Sequence, residues 1–93
     1  MAIEPNNTVV RTAGIMTAPV DQEIVLLNMA RNNYVSLDSV GRRIWELLES
    51  PVSVADLCRQ LGQEFKGTEQ QITTDVLQFL TQLETDGLVR VAE

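Results

Sequence analysis

The chain of 93 residues contains no histidine and a single cysteine, Cys58. One cysteine cannot form an internal disulfide, and the absence of histidine excludes the usual zinc ligand sets and every histidine-based catalytic arrangement. Cys58 lies within an apolar helical pattern, so we interpret it as a small buried core residue. There is also no glycine-rich phosphate loop and no carboxylate cluster with metal-ligand spacing. The sequence therefore predicts a protein that is not an enzyme, with no cofactor and no metal.

Long hydrophobic runs are also absent. No window approaches the roughly 18 apolar residues that a membrane span requires. The first twenty residues lack the basic start and apolar run of a signal peptide. A chain of this length is too short for two independent cores. We expect one domain over residues 1–93, with residues 1–7 flexible, in the cytoplasm and without a membrane partner.

Basic residues are scarce in the second half of the chain. Residues 45–93 contain nine acidic and three basic residues, whereas residues 1–44 contain four of each. The whole net charge of −6 therefore lies in the second half. A surface of this sign repels polyanions.

Three short runs have the composition of β-strands: “TVVRT” (Thr8–Thr12), “EIVLLNM” (Glu23–Met29) and “YVSL” (Tyr34–Leu37). The ten residues between the first two runs contain Gly14 and Pro19, which predict a loop. The second run is apolar at four consecutive positions, as is typical of a strand covered on both faces. The pattern predicts a three-stranded antiparallel meander with the second run in the middle. Its third strand is then an edge, and so is the first.

Two helices are predicted next, each with its own start signal. Asp38 or Ser39 caps a first helix that ends at about Glu49. Its apolar stripe includes Trp45, which we interpret as a core residue. Ser53 begins a second helix with an apolar face.

The third helix has the clearest start signal, because Thr68 and Gln71 form a capping box. It stops at Gly87, and “LVRV” then closes the chain as a strand or a docked tail. At about 100° per residue, Leu77 falls outside the apolar stripe of this helix. The stripe contains Ile72, Val76, Phe79, Leu80 and Leu83. The predicted fold class is α+β, with a winged-helix-like arrangement of a three-stranded antiparallel β-meander followed by three α-helices.

A winged-helix outline raises the possibility of DNA binding. From Thr68 to Asp86 the predicted third helix contains four acidic residues and no lysine or arginine. DNA-binding proteins draw most of their affinity at physiological salt from neutralising phosphates. We therefore predict that the chain does not bind nucleic acid, and a DNA-binding transcriptional regulator is the least favoured of the alternative functions.

Several motifs follow one another with regular spacing. “YVSL” at 34–37 is followed by “VGRRIW” at 40–45, “DVLQFLTQL” at 75–83 and “DGL” at 86–88. In this order they resemble the PqqD-like family of peptide-binding chaperones, also called RiPP recognition elements, over roughly residues 8–91. Ser50-Pro51 replaces the glycine that is common after the first helix of the family. “GLV” replaces the “GW” of members that serve pyrroloquinoline quinone synthesis, so the resemblance favours a lasso-peptide or other modified-peptide cluster.

The resemblance implies a domain that holds the leader segment of a ribosomally made precursor peptide as an added strand. The leader would lie between the third strand and the third helix, and would be presented to a separate maturation enzyme such as a leader peptidase. The residues independently permit this mode, because the edge strand Tyr34–Leu37 contains no lysine, proline or inward charge. The same edge can pair with a second copy, so we expect a monomer or a weak dimer.

The candidate peptide-binding residues lie on this strand and on the third helix: Tyr34, Val35, Ser36, Leu37, Asp75, Leu77, Gln78 and Gln82. Val35 and Leu37 share one face of the strand, and the other two share the opposite face. Tyr34 is either a core ring or a wall of the groove. Asp75 matches an aspartate of the family and contacts the leader, is a solvated acid or forms an internal cap. Leu77 is a groove contact or a partly exposed leucine.

A second hypothesis is a winged-helix-like adaptor that binds a folded protein through its acidic second half. The gene context discriminates between the two, since a neighbouring gene for a short precursor would favour peptide recognition.

Overall fold

The computed structural model describes residues 3–92. The fold is α+β and winged-helix-like, with an antiparallel meander followed by three helices, as predicted. In chain order the elements are β1 (Thr8–Arg11), β2 (Ile15–Val20), β3 (Glu23–Asn28), β4 (Asn33–Leu37), α1 (Ser39–Leu47), β5 (Val52–Ser53), α2 (Val54–Glu64), α3 (Glu69–Thr85) and β6 (Val89–Ala92).

The meander consists of β2, β3 and β4, all antiparallel, with β3 in the middle. The prediction that Glu23–Met29 is central and that Tyr34–Leu37 is an edge is confirmed. β4 pairs with β3 from Asn33 to Leu37, and no other strand within residues 3–92 pairs with it.

The prediction for the other edge is wrong, because β1 belongs to a different sheet. β1 lies between β5 and β6 there, pairing Thr8 with both Ser53 and Ala92. The segment predicted as a loop forms β2 instead. Pro19 is compatible with this strand because β2 is an edge, where a missing N–H leaves no ladder bond unmade.

β3 was predicted to be covered on both faces, and the structure shows that only one face is. Ile24 and Leu26 are buried against the helices, whereas Val25 and Leu27 are half-buried on the other face. α1 packs against the face of β3 and β4 that carries Ile24, Leu26 and Leu37, whereas Tyr34 on the opposite face is exposed.

The predicted helix starts are confirmed. Asp38, Ser53 and Thr68 are N-caps, and each side chain accepts a hydrogen bond from the backbone N–H three residues further on, at 2.8, 3.1 and 3.1 Å. Each bond satisfies one N–H that the first turn of a helix leaves without a partner.

One hydrophobic cluster joins both sheets and all three helices. Trp45 is 3% exposed, which confirms it as a core residue. The Arg11 guanidinium lies 4.5 Å from the centre of its ring and donates to the carbonyl of Trp45. Arg11 therefore fixes β1 against α1. Within residues 3–92, no helix combines the length and the apolar composition needed to cross a bilayer.

Candidate functional site

A cavity of about 520 Å³ opens where the C-terminal end of β4 meets the helices. We call it the β4–α3 groove. Its apolar lining includes Leu37, Ile44, Leu61, Phe65, Ile72, Val76 and Phe79. Its polar lining consists of Ser36, Asp38, Lys66 and Asp75.

The groove forms because α3 runs antiparallel beside β4. At one end the C-terminal turn of α3 is bound to the β3–β4 hairpin, since Asn28 Nδ2 donates to the Gly87 carbonyl at 3.2 Å. At the other end the N-terminal half of α3 faces the end of β4. The spacing of Ile72, Val76 and Phe79 directs these side chains to one helix face. That face lines the groove.

Phe79 lies close to α1 because residue 41 has no side chain. A Cβ atom at Gly41 would lie 3.3 Å from the Phe79 ring and 3.1 Å from the Leu37 Cβ atom. The ring is half-buried and forms one wall of the groove. The sequence placed Phe79 within the core stripe, and the structure corrects this, because the stripe does not reveal that its margin faces a cavity.

The four candidate residues of β4 divide between the two faces of the sheet. Leu37 is 4% exposed and Val35 is half-buried, so this pair faces the helices. Tyr34 is 71% exposed and Ser36 is also exposed. The Tyr34 ring is therefore neither a core ring nor part of the groove lining, and it lies on the outer face of the sheet. Along the free edge of β4, alternate residues direct their N–H and C=O groups outward.

The candidate residues of α3 lie in different surroundings. Asp75 is exposed and lines the groove, and it forms no ion pair within residues 3–92. Gln78 and Gln82 are exposed on the flank of Asp75 but do not line the cavity, and Gln82 donates to the Asp86 carboxylate at 3.2 Å. Leu77 lies roughly 200° around the helix from Asp75 and packs against the core, outside the groove. Of the eight candidates, the structure therefore brings Ser36, Leu37 and Asp75 together in the groove and leaves the other five outside the cavity.

The end of α2 supplies two lining residues that the sequence did not indicate, Phe65 and Lys66. This end is held by Arg43 of α1, which donates to both carboxylate oxygens of Glu64 at 2.7 and 2.9 Å. These bonds lower the pKa of Glu64 to about 2. The ion pair therefore positions the groove wall that follows Glu64 in sequence.

A second cavity, of about 670 Å³, lies between α2 and α3, and Cys58 is part of its lining. Cys58 was predicted to be buried, but it is half-buried because it borders this cavity. Burial raises the pKa of the thiol, which disfavours the reactive thiolate. Among residues 3–92, no group of three or more potential ligands is arranged to hold a metal ion.

Comparison with protein-family models gives a match over the part of the chain that contains the groove. The model of the family described as coenzyme PQQ synthesis protein D (PqqD) matches residues 23–89. This range begins at β3 and ends at the first residue of β6, so it contains β4, α3 and every residue that lines the groove.

Two similar solved structures have the same fold. One is described as TbiB1 in complex with the TbiA(beta) leader peptide, with 28% identity, a TM-score of 0.81, and coverage of 87% of this chain and 94% of that chain. The other is described as lasso peptide synthetase B1 complexed with the leader peptide, with 23% identity, a TM-score of 0.77, and coverage of 88% and 96%. No curated protein sequence matches this chain significantly.

Proposed function

The chain belongs to the family of coenzyme PQQ synthesis protein D, and from this premise we propose that it is a non-catalytic carrier of precursor peptides. It binds the leader segment of a ribosomally made precursor and presents it to a maturation enzyme such as a leader peptidase. The observation that carries the proposal is the free edge of β4, which has no partner strand within residues 3–92 and lies directly beside an apolar groove. The TbiB1 structure, which has the same fold, contains a leader peptide.

The proposed binding mode is the addition of the leader to β4 as a further strand. An extended peptide beside β4 can bond to the outward N–H and C=O groups of this strand, Asn33–Leu37. Its side chains alternate between two faces, so every second one points towards α3. Those side chains enter the β4–α3 groove, where Phe79 and Val76 give an apolar contact and Asp75 a polar one.

Gln78 and Gln82 flank the proposed path of the peptide, and the proposal includes them as polar contacts of its backbone. Leu77 was also a candidate, but its position against the core gives it no route to the groove. The Tyr34 side chain lies on the outer face of the sheet, so any contact of this residue with the leader comes from its backbone.

The magnitudes of the contacts suit a carrier. Four to six backbone hydrogen bonds contribute about 1 kcal/mol each, and two apolar side chains contribute about 1.5–3 kcal/mol each. Several kcal/mol of ordering and association entropy oppose them. The net affinity corresponds to a dissociation constant from roughly micromolar to tens of nanomolar, which allows both capture and release of the precursor.

The pathway and the location are further parts of the proposal. “GLV” at residues 87–89 differs from the “GW” of members that serve pyrroloquinoline quinone synthesis, which supports a lasso-peptide or other modified-peptide cluster. We place the protein in the cytoplasm, where precursor peptides are made. The lack of histidine supports a role in which a separate enzyme performs the chemistry.

A titration tests the proposal directly. The probe is a fluorescein-labelled synthetic leader of a short precursor peptide from the gene neighbourhood, and its fluorescence anisotropy is measured against protein concentration. We expect a dissociation constant of roughly micromolar or below, and at least tenfold weaker binding of a scrambled peptide of the same composition. A folded protein that binds both peptides equally, or neither, would contradict the proposed function.

A further inference from the structure

Lys66 is the only lysine of the chain, and it lies on the rim of the β4–α3 groove. Within residues 3–92 its ammonium group forms no ion pair. The acid two residues earlier, Glu64, does not neutralise it, because Arg43 occupies both of its carboxylate oxygens. Lys66 therefore adds a positive charge, with no ion pair within residues 3–92, to a groove that Asp38 and Asp75 also line.

The position of Lys66 relates it to one part of a bound peptide. β4 ends at Leu37, and the Asp38 carboxylate is engaged in capping α1. A peptide that extends beyond Leu37 has no further strand to pair with. It enters the part of the groove bordered by the α2–α3 turn, which contains Lys66. In this segment side-chain contacts, rather than backbone bonds, decide which sequence fits.

Resting on the proposed function, we propose that Lys66 is a specificity-determining residue, which pairs with an acidic side chain of the peptide segment beyond the end of β4. Lys66 is exposed, so an ammonium–carboxylate pair there is comparable to a surface ion pair, and its effect on binding is a preference of about fivefold. Asp75, also on the groove, repels an acid at its own position. The two charges together favour one register of an acidic residue over its neighbours.

The same pair reports the direction of the bound strand. In an antiparallel added strand, the segment beyond Leu37 is the N-terminal side of the peptide. In a parallel one it is the C-terminal side. The position of the preferred acid along the leader therefore distinguishes the two orientations.

The test is a charge scan of the leader encoded beside the gene, with each residue replaced in turn by Glu and by Lys. For the wild-type protein we expect one position at which Glu binds at least about fivefold more tightly than Lys. Lys66→Glu should reverse this preference at the same position. Arg90→Glu is the matched control, since it changes the net charge equally at an exposed position of β6 outside the groove. This control should keep the wild-type preference.

A second readout uses the single lysine directly. Acetylation of Lys66 by an N-hydroxysuccinimide ester, followed by mass spectrometry, should slow when the preferred Glu peptide is bound. The Gln version of that peptide, at a concentration that gives equal occupancy, should protect Lys66 less. Thermal melts of both variants confirm that they are folded.

The outcomes separate the inference from the function on which it rests. Suppose that the wild-type protein binds the leader and that Lys66→Glu shows the same preference between Glu and Lys as Arg90→Glu at every leader position. The inference is then overturned, and the carrier function stands. If the wild-type protein binds no peptide of the series, the proposed function fails, and the inference fails with it.

Discussion

The residues of α3 illustrate, side chain by side chain, how one helix serves both the core and the groove. Leu80 and Leu83 are 0% and 1% exposed and hold the helix against the rest of the molecule. Phe79 packs against α1 and also forms a groove wall. Replacement of Phe79 would therefore lower stability and binding together, and would not separate the two. Asp75 and Leu77 separate the effect on binding from the effect on stability, because Asp75 lines only the groove and Leu77 contacts only the core.

Asp75→Ala removes an exposed carboxylate that has no ion pair within residues 3–92, so the free energy of unfolding should change by about 1 kcal/mol or less. If Asp75 contacts the leader, binding should weaken by about 1.4 kcal/mol, a factor of ten. Thermal melts and leader titrations on the purified variant give both values.

Leu77→Ala is the matched control on the same helix. Leu77 is half-buried against the core, so its truncation should lower stability by roughly 1–3 kcal/mol, less than a fully buried leucine would. The folded fraction should bind the leader as the wild type does. Unchanged affinity in Asp75→Ala, or a larger affinity loss in Leu77→Ala, would remove this face of α3 from the site.

Among the secondary-structure elements, β4 is the one on which the binding mode depends. Neighbouring residues of a strand direct their N–H groups to opposite sides. One of Val35 and Ser36 therefore donates to β3, and the other presents its N–H at the free edge. A proline removes the N–H at the position where it is placed.

We accordingly expect one of Val35→Pro and Ser36→Pro to remain folded and to bind leader at least about tenfold more weakly. The other should lose stability, because it breaks a bond to β3. Val35→Ala and Ser36→Ala control for the loss of the side chain. Circular dichroism and titration give the result for each variant. If both proline variants are folded and bind the leader normally, β4 is not the docking edge.

The elements also show which features a sequence pattern can reveal. The three helix caps were predicted correctly because each is a contact between residues three positions apart. The placement of β1 was missed because its partners are distant, with Thr8 opposite Ala92, and no local pattern contains this information. β2 was missed because Pro19 indicates a loop unless the strand is known to be an edge.

The site divides in the same way. The free edge of β4 was predictable, since strand order determines it, and Asp75 was indicated by the resemblance to the PqqD-like family. Phe65 and Lys66 were not, because they reach the groove only through the packing of the end of α2 beside α1, fixed by the Arg43–Glu64 ion pair. Leu77 was proposed as a contact from its place outside the apolar stripe, which does not distinguish the groove side of α3 from the opposite side.

The charge of the molecule as a whole bears on which polymers it can bind. The net charge is −6, and α3 contains no lysine or arginine. In a winged-helix-like fold this helix would have to approach DNA phosphates, which its acidic residues repel. We expect no measurable binding of duplex DNA at roughly 0.15 M salt in a fluorescence anisotropy titration. Sequence-selective binding under these conditions would contradict the peptide-carrier function.

The central claim is that the leader adds to β4 as a further strand. Its most direct test is amide hydrogen exchange across residues 3–92, measured with and without a precursor leader. The account predicts that exchange slows at alternate residues of β4, where outward N–H groups gain a partner. The side-chain NMR signals of Ile72 and Val76 in the groove should shift when the leader is added. Amide exchange along the exposed edge of β2 should stay as it is in the free protein. Leader binding that protects amides of β2 or β6 while those of β4 exchange as in the free protein would contradict the account.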